Sequence, residues 1–331
     1  MSRSEPPLTI DEIQAAQRRI AGIPVRTPLV PSPALRARVG AEVALKLESV
    51  QPTGAFKVRG AASRILALEP QVRTRGVVTA STGNHGRAVA HVAREVGIPA
   101  AVCVSERVPA GKIAALEATG CELVVGGTSQ TEALEAAARL VDERGMTLVH
   151  PIDDREVIAG QGTIGLELLE DAPDLATALV PLSGGGLISG VALALKSQRP
   201  EVRVVGVSME RAPVMAASLD AGHPIELDEA STLADSLQGG IGGDGNRHTF
   251  AMVRDLVDDI VLLSEDEIWS GMRFALEEHR LVLEGAGAVG IAALLAGRVG
   301  IDGPTAVVCS GANAEPDHIA ALARGEPAPT S

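Results

Sequence analysis

ALVPLSGGGLISGVALALKSQ, residues 178–198, carries the clearest architectural signal in the chain. It opens on a short apolar run, ALVPL, bounded by a turn signal, the pattern of a strand buried on both faces. Three adjacent glycines follow, Gly184, Gly185 and Gly186, and VALALKSQ then reads as a helix. A buried strand that passes through a glycine turn into a helix is the repeating unit of a parallel α/β sheet. Outward from it the same alternation recurs at GVVTA (76–80), AAVCVS (100–105), CELVVGG (121–127), RVVGVSM (203–209), DDIVLLS (258–264) and TAVVCSG (305–311). Helical stretches such as GRAVAHVAREVG and VPAGKIAALEATG lie between these runs. The expected fold class is α/β with open, mostly parallel sheets. Ligands of such folds sit at the carboxyl ends of strands, where loops feed helix N-termini.

Composition narrows the function classes. With 331 residues, 46% of them hydrophobic and 21% charged, the chain can bury a sizeable core. A net charge of −13 repels phosphate backbones, and one Trp, three Phe and no Tyr leave no base-stacking platform, so nucleic acid is not an expected partner. No run of apolar residues is long enough to span a membrane, and the opening MSRSEPPLTIDEIQ lacks the apolar core of a secretory signal. Cys103, Cys121 and Cys309 have no metal-site spacing and read as free thiols of a reducing compartment, the cytoplasm. A small metabolite is the expected ligand. Of the 29 basic side chains only Lys46, Lys57, Lys112 and Lys196 are lysines, so chemistry that needs a primary amine has few candidates.

Three segments carry candidate chemistry. In Ser183-Gly184-Gly185-Gly186-Leu187, consecutive glycines ahead of a helix let backbone N–H groups converge on a phosphate. The segment lacks the ending of a nucleotide P-loop, and Ser189 stands where a dinucleotide loop needs its third glycine. In QPTGAFKVRG (51–60), turn signals at Pro52 and Gly54 lead into a helix start that carries Lys57 between Phe56 and Val58. A lysine so placed, partly desolvated, keeps a neutral amine available for a Schiff base. Lys46 lies in an alternating strand and Lys112 and Lys196 on polar helix faces. In Ser81-Thr82-Gly83-Asn84-His85-Gly86, small residues after a strand open a helix whose N–H donors suit a carboxylate. Simple N-capping by Ser81 or Thr82 reads equally well there. Gly285-Ala286-Gly287-Ala288-Val289-Gly290 matches a dinucleotide-binding GxGxxG, which would make the chain a dinucleotide-dependent oxidoreductase. The residues before it read as helix rather than strand, so close helix packing is the preferred use of its glycines.

A reactive lysine, a phosphate loop and a carboxylate nest together describe an amino-acid enzyme using pyridoxal phosphate. QPTGAFKVRGA, STGNHG, IAGQGTIGLE, SGGGLISG, EGAGA and CSGAN stand in the order seen in the threonine dehydratase and serine racemase family. That family comprises fold type II, tryptophan synthase β-like, pyridoxal-phosphate enzymes, and the resemblance runs from about Ile20 to Ala320.

The resemblance implies a role for each matching residue. Lys57 holds the cofactor as a Schiff base and moves the Cα proton, and Phe56 packs beside the ring. Ser183, Gly184, Gly185, Gly186 and Leu187 hold the phosphate, and Asn84 bonds the ring hydroxyl. Ser81, Thr82, Gly83, Asn84 and His85 receive the substrate carboxylate. Glu284 lies near the ring edge, and Ser310 faces the pyridine nitrogen. A neutral hydroxyl there makes a weaker electron sink than a carboxylate would, which suits loss of a β-hydroxyl. The implied activity is elimination of water from a β-hydroxy-α-amino acid.

The resemblance also implies a homodimer of two-domain subunits with the cofactor in the cleft. Residues 1–66 and 152–322 would form a large domain, 67–151 a small one and 323–331 a flexible tail. Ser183 stands where relatives often have Gly. Thr82 stands where racemases carry a proton-donating Ser and many dehydratases an Ala, so an amino-acid racemase is the second reading. The family's divalent-cation carboxylates align with Ser208 and Val214, so no metal site is expected. The chain ends soon after CSGANAEPDHIAALARG, and no isoleucine-responsive domain is expected. VSMERAPVM and STLADSLQGGIGGDGNRHTF resemble most the hydroxyectoine-utilisation dehydratases.

Overall fold

A computed structural model describes residues 7–108 and 110–329. Two sheets organise them. The larger is built from β1 (Leu29–Pro31), β2 (Val43–Lys46), β7 (Thr177–Pro181), β8 (Arg203–Met209), β9 (Asp259–Leu263) and β10 (Thr305–Val308). Its strand order is β1-β2-β10-β7-β8-β9, with β1 antiparallel to β2 and every other pairing parallel. The smaller sheet has β3 (Val77–Ala80), β4 (Ala100–Val104), β5 (Glu122–Val125) and β6 (Thr147–Leu148) in the order β5-β4-β3-β6, all parallel. The central strands β3, β4, β7 and β10 are buried at every position, as apolar runs covered on both faces require. Among the described residues no helix is long and apolar enough to cross a membrane.

One helix holds the two halves of the cleft together. Arg155–Asp171 starts at Asp154, whose carboxylate caps the N–H groups of Glu156 and Val157. It is buried along most of its length. Its glycines, those of the IAGQGTIGLE motif, let neighbours come into backbone contact. A Cβ at Gly160 would stand 2.5 Å from the Arg59 carbonyl, and one at Gly162 would stand 2.9 Å from that of Gly190. The helix that begins at Lys57 (Lys57–Leu66) and the helix that follows the triple glycine (Gly186–Gln198) are thereby fixed on either side of a single support.

The smaller sheet lies wholly within residues 67–151, yet the Lys57–Leu66 helix serves both sheets. Its Val58, Ala61, Ala62 and Ile65 pack with Val77 and Val89 beside the smaller sheet. Its opposite side meets Arg155–Asp171. Beneath it Arg59, Glu48, Glu167 and Lys46, all nearly or wholly buried, form an ion network.

Within the segment 323–331 the Glu326 carbonyl accepts from Trp269 Nε1 at 3.0 Å and from Arg273, both on helix Glu265–His279. Thr330 and Ser331 lie outside the described residues.

Candidate active site

Each sheet has one point where the strand order reverses, and crevices for ligands open there between diverging loops. In the larger sheet it falls between β7 and β10, whose carboxyl ends lead into the triple glycine and into Ser310. In the smaller sheet it falls between β3 and β6, which lead into Ser81-Thr82-Gly83 and into Val149-His150-Pro151. The Lys57 loop joins the first pair of loops: Phe56 N–H donates to the Ser310 carbonyl at 3.0 Å, and Ala55 forms a bridge with Gly311. All three segments singled out in the sequence converge on one cleft.

Lys57 is the first residue of its helix and lies half-buried, with its amine 5.3 Å from the centre of the Phe56 ring. Its Nζ donates to the Pro151 carbonyl at 2.8 Å and makes no ion pair among the described residues. The other three lysines each face a carboxylate, Lys46 at Glu167 (2.6 Å), Lys112 at Asp235 (3.2 Å) and Lys196 at Asp258 (2.7 Å). Desolvation pulls the Lys57 amine down to about 8, against the opposing pull of Glu284.

The triple glycine is a cradle that side chains would fill. Gly185 adopts φ 92°, and a Cβ there would press on Met215, Val253 and Thr249 within 3.1 Å. A Cβ on Gly186 would stand 2.7 Å from the Ile152 carbonyl. Gly185 is the N-cap of the following helix and supplies no side-chain cap. The N–H groups from Ser183 to Leu187 find no backbone acceptor among the described residues and face outward at a helix N-terminus, which is how a phosphate is bound.

At the second switch point the N-cap of helix Asn84–Glu95 is Gly83, again without a side-chain cap. Neither Ser81 nor Thr82 caps, so the N-terminus stays open to an anion. Gly86 lets the chain fold back, since a Cβ there would meet the Ser81 carbonyl at 2.0 Å. His85 is buried and forms a 2.9 Å hydrogen bond through Nε2 with the Val149 carbonyl. Burial and then the nearby Lys57 push its pKa down to about 3, so the ring is neutral and Nε2 carries the proton.

Asn84, Glu284 and Ser310 are buried in the wall between the two loop pairs. Asn84 Nδ2 donates to Glu284 Oε1 at 2.8 Å, and Ser310 Oγ reaches the Ala286 carbonyl at 3.4 Å. Burial and then the charge on Asp235 raise the Glu284 carboxyl to about 7. An amine bonded to no carboxylate, two open helix N-termini and a hydroxyl at the end of β10 fit pyridoxal phosphate. Among the described residues no group of side chains is arranged to hold a metal. Ser208 is buried in β8, and Val214 packs into the apolar core.

The dinucleotide reading fails on geometry. The GAGAVG residues lie inside helix Gly285–Leu295, not after a strand. A Cβ at Gly287 would stand 2.3 Å from the Gly311 carbonyl, so the glycine serves packing and leaves no space for a pyrophosphate.

Sequence reasoning passed over Val149–Asp153, which ties the site together. Val149 holds His85, Pro151 holds Lys57, Ile152 backs Gly184 and Gly186, and Asp153 accepts from the N–H groups of Arg247, His248 and Thr249. The dense Asp and Pro of HPIDD, just ahead of a helix, were the available signal. Arg87, directly after STGNHG, and Asn313, the last residue of CSGAN, were given no role.

Residues 20–311 match the family of pyridoxal-phosphate dependent enzymes, and the chain belongs to it. A putative threonine dehydratase of Sinorhizobium fredii is 49% identical over 307 residues, 92% of each chain. An L-threonine ammonia-lyase of Thermotoga maritima is 43% identical over 94% of this chain and 77% of that one. Among solved structures, maize serine racemase superposes with a TM-score of 0.91 at 36% identity, covering 97% of this chain and 98% of the other. The architecture is that of the fold type II members.

Proposed function

We propose that this chain is a dehydratase that eliminates water from a β-hydroxy-α-amino acid, with threonine and serine as its simplest substrates. The observation that carries the reading is the Lys57 amine, the one lysine without a carboxylate, set between two open helix N-termini. Pyridoxal phosphate, bound through that amine, supplies the electron sink that makes the Cα proton of an amino acid removable. Ser183 to Leu187 would anchor its phosphate, and Ser310 would offer the pyridine nitrogen a neutral hydroxyl. The N–H groups and small side chains of Ser81 to His85 take the substrate carboxylate and so fix Cα over Lys57. Lys57 Nζ, freed once the substrate's amino group has taken its place, would accept the Cα proton. The Cβ–O bond breaks with its electrons on oxygen, the oxygen takes a proton to leave as water, and a Cα–Cβ double bond forms. The released enamine hydrolyses to a keto acid and ammonia.

The absence of carboxylates at Ser208 and Val214 supports turnover without a divalent cation. Likeness to maize serine racemase and the Thr82 hydroxyl at the mouth of the carboxylate nest favour racemisation as a second activity. The narrower substrate, a hydroxyectoine-derived hydroxy-amino acid, is supported by the 207–215 and 231–250 stretches. A homodimer is supported by resemblance, and a cytoplasmic location by three cysteines that all stay free. The test is ammonia and keto-acid release from threonine, serine and the hydroxyectoine-derived compound, with chiral analysis of the remaining amino acid. Release from at least one is expected, and release from none overturns the reading.

A further inference from the structure

Asn84 and Arg87 stand one turn apart on helix Asn84–Glu95, and both reach Asn313 on the loop that follows β10. Asn313 spends both N–H donors, one on the Thr53 carbonyl at 2.9 Å and one on Asn84 Oδ1 at 2.6 Å. Its own Oδ1 accepts from Arg87 at 3.0 Å. Turning this amide over would set oxygen against oxygen twice and N–H against guanidinium, so chemistry allows a single orientation. Gly54 makes room for it: φ is 72°, and a Cβ would lie 2.8 Å from Asn313 Oδ1.

With its oxygen taken by Asn313, Asn84 must present its NH2 group to the other side. One N–H goes to Glu284 Oε1 at 2.8 Å, and Ser236 Oγ is the nearest partner of the group's remaining capacity at 3.4 Å. A bond that long leaves the second N–H as a donor still to be used.

We propose that Asn313, braced by Arg87, is a positioning residue that fixes the Asn84 carboxamide with its donors turned to Glu284 and to the ring hydroxyl of the cofactor. The clamp crosses the cleft. Arg87 and Asn84 belong to the smaller sheet's side, while Thr53 and Asn313 belong to the larger sheet's side. It therefore forms only with the two sides in the mutual position seen here. Without Asn313 the Asn84 amide can rotate, and half of its orientations set an oxygen against Glu284 and against the ring oxygen. The inference rests on the proposed function, since it is the pyridoxal-phosphate reading that gives Asn84 its ring partner.

The experiment compares wild type, Asn313→Asp, Arg87→Met, Asn84→Ala and the Asn84→Ala/Asn313→Asp double variant. The readouts are the dissociation constant of pyridoxal phosphate from apoenzyme dialysis and the ratio of visible to near-ultraviolet absorbance of the loaded protein. That ratio responds to hydrogen bonding at the ring oxygen, which a merely structural role would leave alone. Asn313→Asp is expected to weaken binding about tenfold, the loss of one oriented hydrogen bond, and to change the ratio. Arg87→Met should move both readouts the same way by less, which keeps the test open if Asn313→Asp does not fold. The double variant should be no worse than Asn84→Ala, because both act through one amide. Asn313→Asp or Arg87→Met with wild-type constants and spectra, or effects that add to those of Asn84→Ala, overturn the positioning role alone. A wild-type chain that takes up no pyridoxal phosphate overturns the function itself and this inference with it.

Discussion

Lys57 and Arg59 stand two positions apart on one helix, and their surroundings treat their charges in opposite ways. Arg59 is buried with its guanidinium fully engaged. It faces Glu48 through Nε and Nη2, both at 2.8 Å, and Glu167 through Nη1 at 2.6 Å and Nη2 at 3.0 Å. Thr163 and the Val25 carbonyl take what remains. Lys46 adds a second cation at Glu167 and reaches Asp171 at 3.6 Å, so every buried charge of the network has an opposite partner. Burial pulls the Arg59 pKa down, but Glu48 and Glu167 outweigh it and the net shift is upward. Lys57, packed among protein atoms with only a carbonyl to bond, is pulled down to about 8. Desolvation acts on both, and the difference is a directly bonded carboxylate, which Arg59 has and Lys57 lacks. The saturated network fixes the helix, and the unsaturated amine at its start is held in place by it yet kept free to react.

The contrast can be broken by stability measurements on apoenzyme at pH 7. Arg59→Met should cost about 3–5 kcal/mol, because it strands Glu48 and Glu167 without their partner. Lys57→Met should instead stabilise by about 1–3 kcal/mol, because it removes a cation whose desolvation the pull of Glu284 offsets only in part. Urea unfolding of both variants decides it: opposite signs are expected, and destabilisation by both would show that Lys57 is also a structural cation.

A smaller effect sharpens the cleft side. Glu284 is raised to about 7 from its ordinary 4.5, so between those values the unfolded chain has released a proton that the folded chain keeps. Stability then falls as pH rises from about 4.5 to 7 and levels off above. Glu284→Gln should remove that slope in apoenzyme unfolding followed against pH, and an unchanged slope would show that Glu284 is ionised throughout.

Much of this was open to reading in the sequence. The short β-branched runs gave seven strands at 76–80 through 305–311, most clearly the buried β3, β4, β7 and β10, whose apolar signature needs no partner to interpret. β1 and β6, three and two residues long, left none. Lys57 stood out because the chain contains so few lysines, but the reason it differs from Lys46 is tertiary. Glu167 lies more than a hundred residues from Lys46, and no local pattern announces that it lies there. The choice between capping and anion binding at Ser81-Thr82-Gly83 was undecidable from composition, since both use the same residue types, and it turned on which residue sits at the N-cap. Val149 and Pro151 work through their carbonyls, and Asn313 through one side-chain amide. Backbone groups are the same in every sequence, so their use becomes visible only in the fold.

Borohydride reduction of the pyridoxal-phosphate-loaded protein, followed by peptide mapping, tests the central claim most directly. The account predicts one pyridoxyl group per chain, on the peptide that carries Lys57, and none in Lys57→Ala. A label on Lys46, Lys112 or Lys196, or no label in wild type, would contradict it.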